Sequence, residues 1–62
     1  MSETTKHLLR EAIKELGSLE ELAIALRAPA HLVQAWMNGH ATMPDRKLLL
    51  LIDVLEKKGR EG

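Results

Sequence analysis

Ser18-Leu19-Glu20-Glu21-Leu22-Ala23-Ile24-Ala25-Leu26-Arg27-Ala28-Pro29-Ala30-His31-Leu32-Val33-Gln34-Ala35-Trp36-Met37-Asn38-Gly39 is the stretch that decides the fold. It reads as two short helices and a tight turn. Ser18 suits an N-cap and Glu21 three residues on completes a capping box, so the spacing predicts a helix starting at Leu19. Leu22, Ala23 and Leu26 recur at helical spacing and form its inner face. Pro29 lacks an amide hydrogen and cannot continue that helix, but it fits the first turn of a following one, which puts the break at Arg27 and Ala28. The second helix then turns Leu32 or Val33, Trp36 and Met37 inward, and Asn38-Gly39 stops it. Two helices of roughly two turns each, joined by about 3–4 residues, make a helix-turn-helix.

The spacing Leu22-Ala23, Leu26, Val33, Trp36, Gly39 and Pro44 resembles the Cro and phage-repressor-like helix-turn-helix family, whose pattern runs Leu-Ala, Leu-Gly-Val-Ser, Val, Trp, Gly, Pro at those intervals. Ala23 is small where the two helices cross, Val33 plugs the angle between them, and Trp36 packs the second helix onto the core. The chain departs from the family pattern in the turn. Arg27 stands where the family usually has Gly, and a non-Gly residue held at positive φ costs on the order of 1 kcal/mol. Ala28 stands for the usual Val and Pro29 for the usual Ser. The resemblance covers Ser18 to about Pro44.

The flanks supply further helices. Thr4 or Thr5 is the expected cap of a first helix that runs to Leu16 and stops at Gly17, with Leu8 or Leu9, Ala12, Ile13 and Leu16 inward and Lys6, Arg10, Glu11, Lys14 and Glu15 on a solvated face. After Gly39 the segment His40 to Met43 has no periodicity. Pro44 and Asp45 then suit the start of a last helix, with Lys57 or Lys58 at its end and Gly59 as its stop. The reading is one all-α domain, a bundle of four helices (three to five) around a central helix-turn-helix, ordered over about 4–58 with helices near 5–16, 19–26, 30–37 and 44–58. The last helix is apolar on more faces than a small domain needs. Leu48, Leu51, Ile52 and Leu55 make the stripe assigned to the core, which leaves Leu49, Leu50 and Val54 for a dimer interface.

Composition narrows the function. In 62 residues there is no cysteine, so neither a disulfide framework nor a thiolate metal site forms. His7, His31 and His40 do not share metal-ligand spacing, and no metal or other cofactor is expected. Neither Ser2 nor Ser18 has a histidine at a suggestive interval, and there is no glycine-rich phosphate loop. The chain is not read as an enzyme, and no small-molecule substrate is expected. The N-terminus lacks an apolar run behind a basic patch, and no apolar stretch approaches ~20 residues, so a cytoplasmic protein without membrane contact is expected. Trp36 is the single aromatic, too few for a single-strand stacking platform.

Net charge is zero, with 9 basic and 9 acidic residues. Their distribution is uneven. Acidic residues predominate up to Leu26, whereas Arg27, Arg46 and Lys47 outnumber the lone Asp45 between 27 and 47. With Val33 and Trp36 inward, the outer face of the second helix of the pair carries Ala30, His31, Gln34, Ala35 and Asn38, none of them acidic. Gln34 can pair with adenine in the major groove, His31 can donate to guanine or phosphate, and Ala30 and Ala35 can touch thymine methyls. The resemblance further implies that Asn38, Thr42 and the start of the last helix contact phosphates, with His40, Arg46 and Lys47 supplying charge. It implies a small sequence-specific double-stranded DNA-binding protein, a bacterial or phage transcriptional regulator acting as a homodimer through helix four. The alternative is a protein-protein interaction module that keeps the fold and has lost DNA binding, which zero net charge favours.

Overall fold

The computed structural model describes residues 3–61. Four helices follow one another: α1 (Glu3–Leu16), α2 (Leu19–Leu26), α3 (Ala30–Asn38) and α4 (Asp45–Glu61), with no strand among the described residues. The helix-turn-helix pair sits between two longer helices. α1 packs on each of the other three, and α4 packs on α1 and α2, so α2 is enclosed by all its neighbours. Gly17, at φ 102°, and Ser18 separate α1 from α2, so the chain reverses almost without a loop. Ser18 Oγ accepts from the Glu21 amide at 3.2 Å, which satisfies one of the donors left open at the start of α2.

The core has one centre. Leu9 and Ala12 of α1, Leu22, Ala23 and Leu26 of α2, Val33 and Trp36 of α3, and Leu51 of α4 are buried there together with Met43. Trp36 is the largest of them and is 1% exposed. Met43 was not anticipated, because its segment has no periodicity. Its unbranched, flexible side chain reaches the core as a filler. No buried polar side-chain atom lacks a partner among the described residues.

Several boundaries differ from those read in the sequence. α1 already includes Thr4 and Thr5, so neither caps it from outside. α3 starts at Ala30 as expected, with Pro29 as its N-cap, and runs one residue further, through Asn38. Gly59 does not stop α4, which continues to Glu61, because a lone glycine raises the cost of a helix by about 1 kcal/mol without forbidding it.

The larger correction concerns the rotation of α4. Ile52, expected in the core, is 39% exposed, whereas Leu50, expected at a dimer interface, is half-buried and packs against the core with Leu48 and Leu55. α4 lies across both α1 and α2, so its buried arc is wider than one stripe and is turned towards the Leu50 side. Lys47 holds that rotation by donating to carbonyls at the end of α2. Leu49, 67% exposed, does point outward, and Val54 is half-buried. None of the helices among the described residues is long and apolar enough to cross a membrane.

Candidate nucleic-acid interface

The turn that presents α3 starts with a left-handed residue. Arg27 has φ 56° and ψ 45°, the one non-glycine positive φ among the described residues. The Arg27 amide donates to Ile24 O at 3.1 Å and the Ala28 amide to Ala23 O at 3.0 Å, the paired bonds that close a helix end when the next residue is left-handed. α3 ends in the same way. Gly39, at φ 78°, donates to Trp36 O and His40 donates to Ala35 O at 2.9 Å. Arg27 therefore takes the conformation that Gly39 takes, with a Cβ that Gly39 lacks.

The strained turn is tied from outside. Lys47 Nζ lies 2.9 Å from Leu26 O and 3.0 Å from Arg27 O. Both carbonyls belong to the C-terminal end of α2, where the helix dipole favours a cation. The ammonium thus fixes the turn to α4, and two of its three donors are used. Lys47, expected to supply charge to a phosphate, thus has two donors engaged within the fold and one left over. The Lys6 ammonium lies close to Gly39, 3.4 Å from where a Cβ on that residue would sit, which puts a positive charge near the C-terminal end of α3.

On α3, His31, Gln34 and Asn38 are exposed and follow one another at spacings of three and four, so they share a face. Gln34 Nε2 donates to Asn38 Oδ1 at 3.4 Å. Ala35 is half-buried beside them. Ala30 differs from its expected place, because it packs partly against the core, as does Leu32. Beyond α3, His40 and Thr42 are exposed in the connection to α4, and Arg46 is exposed in the first turn of α4 with no ion pair among the described residues. Among the described residues the ion pairs lie on the outer faces of α1 and α4, where Glu11 meets Lys14 and Asp53 meets Lys57, and His7 Nε2 lies 3.6 Å from Glu11. The polar face of α3 carries no acidic group.

One surface feature was missed in the sequence. Ile24 is 72% exposed and, with Ala28, Pro29, Ala30, Glu20 and Arg27, lines an open groove of about 510 Å³ over the α2–α3 turn. The available indication was an isoleucine two residues from the buried Leu22 and Leu26 alike, on the side of α2 opposite its inner stripe. Among the described residues, no group of His, Asp and Glu side chains is placed to hold a metal ion. No protein-family model, curated protein or solved structure matches this chain.

Proposed function

We propose that this chain binds double-stranded DNA as a small transcriptional regulator of the Cro and phage-repressor-like kind, with α3 in the major groove. The observation that carries this reading is the left-handed turn at Arg27, where a residue that pays a steric penalty adopts the geometry the family pattern reserves for glycine. That turn leaves the face of His31, Gln34 and Asn38 open to a groove while Val33 and Trp36 hold the helix from behind. Arg46, exposed and without an ion pair among the described residues, is the cation best suited to a phosphate. The protein acts as a homodimer through α4, with Leu49 and Ile52 as its exposed apolar contacts and the two copies of α3 roughly 34 Å apart to meet successive major grooves.

An interaction module with the same architecture is the second reading. The exposed Ile24 and its groove favour it, as does zero net charge with Lys47 already engaged. Anisotropy titration of random-sequence duplex at low and moderate salt separates the two. The regulator binds at low salt and weakens steeply as counterions compete. Gln34→Ala then loses on the order of 1–3 kcal/mol on the preferred sequence and almost nothing on random duplex. A folded protein without duplex binding at low salt would displace this reading in favour of the module.

A further inference from the structure

Gln34 and Asn38 lie one helical turn apart on the exposed face of α3, and the Gln34 amide nitrogen donates to Asn38 Oδ1 at 3.4 Å. A free glutamine on a helix surface samples many rotamers and offers its oxygen and nitrogen to a base edge in either order. The contact restricts both choices. With the Nε2 hydrogen trans to Oε1 given to Asn38, the other hydrogen and Oε1 stay side by side as an unused edge. That edge is a donor beside an acceptor, the complement of adenine N7 and N6 in the major groove. Guanine presents two acceptors there and does not match it.

Resting on the duplex-DNA reading above, we infer that Asn38 is a positioning residue that aims the Gln34 amide at an adenine and is not itself a phosphate ligand. An exposed pair at this spacing contributes little in water, but the same bond gains strength when a groove excludes solvent from it. The pair then acts as one recognition unit for a single A·T base pair.

The test starts from a preferred duplex selected from a randomised pool, with folding of every variant checked by helical circular dichroism and Trp36 emission. Competition binding then gives the preference for adenine over the other bases at the position where Gln34→Ala abolishes discrimination. Asn38→Ala should lower that preference about twofold and leave random-duplex affinity and salt slope unchanged. In a Gln34→Ala background it should change nothing. Asn38→Asp keeps the acceptor, so it should retain the adenine preference while weakening every duplex alike through its added charge. If Asn38→Ala instead weakens all sequences equally and reduces the salt slope by about one unit, Asn38 is a phosphate ligand and the inference fails, although the DNA reading stands. If the wild-type protein binds no duplex at low salt, both fall, and that arm shows it before any variant is compared.

Discussion

Replacing Lys47 by methionine removes the ammonium that closes the α2–α3 turn and keeps most of the apolar stem. Two hydrogen bonds disappear, to Leu26 O in a half-buried setting and to Arg27 O at the surface. Hydrogen bonds to a charged group contribute about 1.5–3 kcal/mol each when protected, and water replaces the exposed one at little loss. The half-buried bond and the lost charge at the end of α2 together give an expected destabilisation of about 1–2 kcal/mol. For a chain of 62 residues whose whole stability is on the order of 3–9 kcal/mol, that is a large share. Each kcal/mol shifts the Tm of so small a domain by about 4–8 °C, so Lys47→Met should melt roughly 4–16 °C below wild type. Thermal and urea unfolding, followed by circular dichroism at helical wavelengths and by emission of the single tryptophan, measure this directly. Arg46→Met next to it is the control and should stay within about 0.5 kcal/mol of wild type, since Arg46 is exposed and pairs with nothing among the described residues. If the two variants lose the same small amount, Lys47 does not clamp the turn, and its donors are free for phosphate after all.

Other expectations follow from the same structure. Trp36→Ala should destabilise by about 3–5 kcal/mol in urea unfolding, and near-wild-type stability would mean that the side chain at the centre of the core is dispensable. Arg27→Gly removes the Cβ from a left-handed residue and should raise the unfolding free energy measured in urea by up to about 1 kcal/mol, less the entropy that glycine adds to the unfolded chain; a clear loss would refute the strain. Arg46→Ala should weaken specific and random duplex alike and reduce the salt slope by about one unit, as read by anisotropy. Leu49→Glu should shift sedimentation towards monomer without loss of fold, whereas Leu50→Glu should unfold the chain first, because Leu50 packs on the core.

The sequence alone determined the four helices and the position of the turn, because those depend on neighbours a few residues apart. Ser18 caps α2 by bonding to an amide three residues away, Gly39 ends α3 through bonds to the turn before it, and Leu22, Ala23, Leu26, Val33 and Trp36 reveal their buried faces by periodicity. The face of His31, Gln34 and Asn38 follows from that same periodicity, as the side left over. Only the tertiary structure decided how α4 is rotated. In a run of Leu48, Leu49, Leu50, Leu51 and Ile52 every rotation buries leucine, so periodicity does not distinguish Leu50 from Ile52. The choice is made by contacts with α1 and α2 and by an ammonium whose acceptors lie 20 and 21 residues away in the chain. For the same reason Lys47 read as a surface cation, Met43 as loop and Ala30 as part of the outer face. Lys47 is placed by acceptors distant in sequence and Met43 and Ala30 by packing on the shared core, and local spacing carries no information about either.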